Sequence, residues 1–279
     1  MLAIALCIGM SLGCPGCWEG SDVGAEPAGP VGVTDGGEAV ALVVHADGRV
    51  DVGAATVIDR PEAWSGGVLS NLHENGKRDG LVGYDHRSGV LLEMSADARV
   101  VEGVRHVGAV GHQRIRGMAV TELGAIVLLD APTDALVVVT EEGAKVELAR
   151  LDGASRREAI AMGGDGVLYG VGHASGGVSR TLYTIDLASG KTNEIARLPV
   201  RDLDALTWAS DGMLYATDAD GSRPARLYRI DPETGACTDL GEVFGGTITA
   251  LSSSPRHAAV RWVGRGCGPE AGGAATGGG

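Results

Sequence analysis

The sequence predicts an all-β protein assembled from a repeated four-stranded unit, and three observations carry that expectation. First, Leu182-Tyr183-Thr184-Ile185-Asp186-Leu187-Ala188-Ser189-Gly190 recurs 45 residues later as Leu227-Tyr228-Arg229-Ile230-Asp231-Pro232-Glu233-Thr234-Gly235, with the shared pattern L-Y-x-I-D-x-x-[ST]-G. Second, glycine supplies 46 of 279 residues while aromatics make up only 4%. That composition suits a chain dense in tight turns, with a core of Val, Leu, Ile and Ala. Third, the apolar segments are short, rich in Val, Ile and Tyr, and separated by Gly, which is the pattern of strands and not of helices. A period of about 45 residues built from such pieces predicts a β-propeller, each period one blade.

Five outer hairpins can be placed in order, beginning at Leu42 (LVVHADGRVDV), Leu91 (LLEMSADARVVEGV), Leu136 (LVVVTEEGAKVELA), Leu182 (LYTIDLASGKTNEIA) and Leu227 (LYRIDPETGACTDLG). Each is a short strand, a turn holding Gly, Asp or Ala, and a second strand. Five inner hairpins complement them: Val68–Asp85, Gly117–Asp130, Ala159–Val171, Ala205–Asp218 and Thr247–Val263. Asp165-Gly166 and Asp211-Gly212 mark equivalent turns, where the chain needs φ > 0. Ala154–Met162 is the one stretch with helical character, and it is cut short by Gly163-Gly164.

The chain opens with an outer hairpin and closes with an inner one. Pairing the two would complete a fifth blade and lock the ring, leaving no long sheet edge open. Matching counts predict five blades; a sixth would have to lie in the poorly patterned stretch 54–80.

Both ends read differently. Met1 to Gly13 is almost wholly apolar, too short to span a bilayer but suited to the apolar region of a signal peptide. With Leu12-Gly13-Cys14 at its end it resembles a bacterial lipoprotein signal, which implies diacylation of Cys14 and a cell-envelope or secreted location. Ordinary signal cleavage, leaving Cys14 and Cys17 in a flexible leader, is the other outcome. The expected organisation is a leader at 1–17, a Gly/Ala/Pro-rich linker at 18–39, the propeller at 40–263 and a Gly-rich tail at 264–279. Cys17 and Cys267 could pair if ring closure brings the ends together, with Cys237 a buried free thiol.

Leu81-Val82-Gly83-Tyr84-Asp85-His86-Arg87-Ser88-Gly89-Val90-Leu91 aligns with Ile126-Val127-Leu128-Leu129-Asp130-Ala131-Pro132-Thr133-Asp134-Ala135-Leu136 as strand, Asp, four small or polar residues, strand. This resembles the NHL-type propeller repeat, and the array is similar to the broader group that includes gluconolactonase-like proteins. The resemblance implies the fold and carries no function. NHL repeats place a basic residue just before the outer strand; here that position holds Val90 and Ala135, and only Arg226 fits.

Asp85, Asp130 and Asp218 occupy equivalent ends of inner hairpins, His173 lies at the corresponding place in the third, and His86 follows Asp85. Carboxylates and imidazoles converging on a channel mouth would suit Ca²⁺, Mg²⁺ or Zn²⁺, and a bound metal could activate water for lactone or ester hydrolysis. The competing reading is that an Asp at a strand end caps its own turn, so that a repeated Asp merely repeats a turn. Asp218-Ala219-Asp220-Gly221-Ser222 lacks the third acid and distal Glu of a calcium loop. No HExxH, GxSxG or phosphate-binding Gly loop is present.

With 36 acidic against 23 basic residues the net charge is −13, which repels phosphate backbones and makes nucleic acid an unsuitable partner. Membrane association is expected only through the N-terminal lipid. The expectation is a monomeric, non-catalytic binding scaffold with no cofactor, presenting one propeller face to a protein or glycan at the envelope. The alternative is a metal-dependent hydrolase using the Asp/His set.

Overall fold

A computed structural model describes residues 30–59, 69–74, 80–95, 98–107, 115–130, 132–140, 142–152, 157–173, 179–200, 202–203, 205–218 and 223–253. Its strands are β1 (Pro30–Thr34), β2 (Glu38–Val44), β3 (Val50–Val52), β4 (Thr56–Val57), β5 (Leu69–Glu74), β6 (Leu81–Asp85), β7 (Val90–Met94) and β8 (Val101–His106). There follow β9 (Ile115–Val120), β10 (Ile126–Asp130), β11 (Ala135–Val139), β12 (Lys145–Arg150), β13 (Arg157–Met162), β14 (Leu168–His173), β15 (Arg180–Ile185) and β16 (Thr192–Leu198). The last are β17 (Ala205–Trp208), β18 (Leu214–Thr217), β19 (Ala225–Ile230), β20 (Cys237–Phe244) and β21 (Ile248–Ser253). Ala154–Met162 therefore contributes a strand: Arg157–Met162 pairs with β14 from Arg157↔Gly172 to Met162↔Leu168.

Four blades are consecutive antiparallel sheets: β5–β8 (blade I), β9–β12 (blade II), β13–β16 (blade III) and β17–β20 (blade IV). Blade V has the order β21-β1-β2-β3, with β4 paired to the end of β2. The five inner strands β21, β5, β9, β13 and β17 pack side by side around the ring.

The ring closes by pairing strands far apart in the sequence, β1 to β3 with β21, so that β1 takes the second position in the blade that the expected inner hairpin 247–263 would have filled. β1 sits against β21 from Pro30↔Ser253 to Thr34↔Ile248. Strand β1 falls within the stretch 18–39 expected to be linker, so the folded part starts at least ten residues earlier than composition suggests. Pro30-Val31-Gly32-Val33-Thr34 is a β-branched run whose Gly and Pro neighbours disguise it. All five of its residues are buried. The second half of the expected hairpin 247–263, with Cys14, Cys17 and Cys267, lies outside the described residues; Cys237 is a half-buried free thiol.

The core is a series of junctions. Five apolar clusters lie one between each pair of neighbouring blades: Val33 and Ala250 with Leu72 and Leu92, then Tyr84 and Leu91 with Met118 and Leu128, then Leu129 and Leu136 with Ile160 and Leu168. The series continues with Val171 and Leu182 against Leu206 and Leu214, and with Tyr215 and Leu227 against Val40 and Ile248. Burying such side chains is worth about 1.5–3 kcal/mol each, so every blade depends on both neighbours.

Tight contacts reinforce the junctions. In the turn between its third and fourth strands, Gly143 of blade II lies against the His106 carbonyl of blade I. Gly190 of blade III lies against the Arg150 carbonyl of blade II, and Gly235 of blade IV against the Ala196 side chain of blade III. All three have positive φ, +80°, +72° and +70°.

Candidate functional site

The register sets the start of each inner strand beside the end of the second: Leu69↔Asp85, Ile115↔Asp130, Ala205↔Thr217. Asp85, Asp130, His173 and Asp218 therefore stand at one face of the ring, where the turns after the second strands meet the connections between blades.

Their environments differ. Asp85 is fully buried; its carboxylate accepts hydrogen bonds from the Arg87 amide (2.8 Å) and the Ser88 hydroxyl, and its carbonyl accepts the Gly89 amide (2.9 Å). Asp130 accepts the Thr133 hydroxyl at 3.1 Å, and Asp134 takes the positive φ (+50°) that Gly89 takes in blade I. Asp186 and Asp231, in the turns joining third to fourth strands of blades III and IV, cap D-x-x-[ST]-G sequences in the same way. One turn thus serves at two places in the blade, and Asp85 and Asp130 are turn caps. Hydrogen bonds from Ser189 and from the Thr234 amide hold the Asp186 and Asp231 carboxyls below the usual carboxylate range. His86 is an exposed turn residue.

Asp218 is buried and ties β18 to β19, accepting the Arg226 amide at 2.8 Å and the Tyr228 hydroxyl at 3.3 Å. Burial and then the neighbouring Asp218 charge push the Tyr228 phenol up to about 12.

His173 belongs to a cluster the sequence did not reveal. Arg180, at the start of β15 and only 3% exposed, places Nε 2.8 Å from Glu158 Oε2 and donates from Nη2 to Asp202 Oδ1 at 3.0 Å. Its Nη1 also meets the His173 imidazole, with Nε2 at 2.6 Å, and that Nε2 lies 3.3 Å from Glu158 Oε1. The four residues come from three strands and the connection after β16. A basic residue beside the outer strand was the available signal. Arg226 shows it in register in blade IV, but Arg180 stands two residues before its Leu182, not one.

Beside this cluster, where blade III meets blade IV, opens a cleft of about 380 Å³. Pro199, Val200 and Asp202 of the connection after β16 line it together with Asp218, Arg223, Tyr228, Cys237 and Asp239 of blade IV. Arg226 clamps Asp239 Oδ2 through Nε (3.0 Å) and Nη2 (2.8 Å). Burial pushes the Cys237 thiol up to about 11, so it is not a ready nucleophile.

Asp85, Asp130, His173 and Asp218 share a face without converging. Among the described residues no three His, Cys, Asp or Glu side chains are gathered as a metal ion requires. The set weighed as a divalent-cation site is engaged in turns, a strand tie and an ion-pair cluster.

No protein family and no curated protein matches the sequence. Among solved structures, the chain is similar to a gluconolactonase from Xanthomonas campestris: 15% identity, TM-score 0.50, covering 81% of this chain and 76% of that one. It is also similar to virginiamycin B lyase from Staphylococcus aureus, with 15% identity, TM-score 0.43, and 78% and 71% of the two chains covered. At such identity the likeness to the gluconolactonase speaks for architecture alone, and with the five sheets described above it makes this chain a β-propeller.

Proposed function

We propose that the protein is a non-catalytic binding scaffold at the cell envelope, monomeric, tethered through lipid on Cys14, and engaging a protein or glycan with the face that carries the turns after the second strands. The observation that supports this reading is the cleft between blades III and IV. It is polar, and two of its carboxylates are paired with arginines, Asp202 with Arg180 and Asp239 with Arg226. A prearranged polar cleft in a rigid ring suits recognition, because little side-chain freedom is lost on binding. Of the carboxylates expected for hydrolysis, Asp85 and Asp130 cap turns and Asp218 ties two strands.

The test has two arms. Lactones and esters are assayed with the full chain, with and without added Ca²⁺ or Zn²⁺. Sustained turnover that vanishes in a folded Asp130→Ala variant would replace the scaffold reading with a hydrolase. In parallel, immobilised protein is incubated with envelope extract. The scaffold reading expects a retained component that is lost with Asp239→Arg and kept with Lys191→Ala, a change in the turn on the other side of blade III.

A further inference from the structure

We propose that the cleft between blades III and IV is a saccharide subsite that takes one pyranose-sized unit of a neutral glycan. This rests on the scaffold reading and specifies its ligand.

Size comes first. At about 380 Å³ the cleft lies at the small end of ligand-sized sites, room for a sugar unit and too little for a folded peptide element. Its lining comes next. Asp202, Asp218 and Asp239 offer acceptor oxygens, Arg223 offers donors and Tyr228 a hydroxyl, while Pro199, Val200 and the Tyr228 ring supply a limited apolar surface. An apolar ligand would strand these polar groups, at a cost no apolar contact here offsets. A sugar has both kinds of surface, hydroxyl edges and C–H faces.

Charge separates a neutral sugar from an ion. Asp202 and Asp239 are each paired with a guanidinium, Arg180 at 3.0 Å and Arg226 at 2.8 Å, so neither presents a full charge to an ion, while Asp218 is engaged by the Arg226 amide and the Tyr228 hydroxyl. An ammonium would have to compete with guanidinium groups held in good geometry, for little net gain. A hydroxyl need not compete. An ionised carboxylate has about four lone-pair sites, so Asp202 can keep its pairing with Arg180 and still accept from a sugar hydroxyl. The two arginines then act as positioning residues, fixing acceptors that point to neutral donors.

The full chain is titrated calorimetrically with maltotriose, cellotriose and N-acetylated chitotriose, and separately with a lysine-rich decapeptide. At least one trisaccharide is expected to bind. Val200→Trp, which fills the cleft, should abolish that binding, and Asp239→Ala should weaken it by about tenfold, the loss of one charge-assisted hydrogen bond. Asp47→Ala, in a turn of blade V, should change nothing. Should Val200→Trp fail to fold, Asp202→Ala and Asp239→Ala decide. The proposal is overturned if no trisaccharide binds, if binding survives intact in the cleft variants, or if the peptide alone binds. Envelope retention that depends on Asp239 without any trisaccharide binding would keep the scaffold and remove the saccharide.

Discussion

Tyr169 of β14 stacks on Trp208 of β17, ring centroids 5.6 Å apart and planes 18° from parallel, so an aromatic pair staples blade III to blade IV. The Tyr169 hydroxyl is held in turn by Asp165 at 2.7 Å, and in the next blade Tyr215 is held by Asp211 at 2.9 Å. Replacing Trp208 by Ala should cost about 3 kcal/mol, the low end for removing a buried aromatic because the indole is only partly buried. A double-mutant cycle with Tyr169→Leu should give a coupling of about 0.5–1.5 kcal/mol. Urea unfolding provides both values, and a coupling of zero would mean that the stack adds nothing beyond area.

Gly89 and Gly235 share the left-handed conformation, φ +69° and +70°, but not the same surroundings. Around Gly89 a Cβ would meet nothing within 4 Å, whereas at Gly235 it would collide with the Ala196 side chain of the neighbouring blade. Gly89→Ala should therefore cost only the conformational penalty, about 1–2 kcal/mol. Gly235→Ala should lose a further 1–3 kcal/mol or so from overpacking. Equal urea midpoints for the two variants would contradict the interlocking of turn and neighbouring blade.

Asp85 and Asp186 cap like turns at opposite extremes of exposure. Asp85→Ala removes a fully buried carboxylate and leaves the Arg87 amide and Ser88 hydroxyl without their acceptor, and should destabilise by about 1–3 kcal/mol, whereas the exposed Asp186→Ala should cost clearly less. Because the folded carboxyls of Asp186 and Asp231 are held below the usual range, their contribution is complete above the ordinary carboxylate pKa. It disappears as pH falls through the depressed folded value. Thermal melts across the acid range should show wild-type stability falling there, with a shallower fall in Asp186→Ala.

Arg180 is buried between Glu158 and Asp202, so Arg180→Met should cost about 3–5 kcal/mol by leaving Glu158 without its cation. Adding Glu158→Met should restore much of the loss. If the double variant is as unstable as the single one, packing of the arginine stem, not charge, is what matters.

At alkaline pH the buried tyrosines dominate. Burial, reinforced by Asp85 and Asp130, pushes the Tyr84 phenol up to about 12, as burial does for Tyr228. Folded values raised above the usual 10.0 stabilise the protein below that pH, and this contribution is lost as pH rises toward 12. Tyrosinate absorbance should lag behind that of the urea-unfolded chain, and Tyr84→Phe should move alkaline unfolding to higher pH.

The outer hairpins were legible because alternation and D-x-x-[ST]-G turns are local signals. The turn places a hydrogen-bond cap and a left-handed residue at fixed offsets, and repetition exposes it. Strand β1 was hidden because its five residues lie among Gly and Pro and gain their stability from β21, more than two hundred residues away. The repeated aspartates were legible as positions, but whether a carboxylate meets a ligand or its own backbone depends on the next three residues, and at Asp85 and Asp130 those complete a turn. Glu158 and Asp202 gave no local signal, and Arg180 gave only a basic residue two places before its outer-strand Leu182, because what joins the three is the folding of blade III, not spacing.

Closure through β21 also has a consequence in time. When the first three strands of blade V leave the ribosome, the strand that will lie innermost beside them has not yet been made. Val33 waits for Ala250, and Leu69 of blade I waits for the Thr249 hydroxyl that reaches its carbonyl at 2.6 Å. The entropic cost of so wide a closure is modest, since it grows only with the logarithm of chain length, but the rate penalty is not. The strands of blades I to IV are each consecutive in sequence, whereas the ring as a cooperative unit waits for β21. Until then the nascent chain carries an unpaired edge on β1.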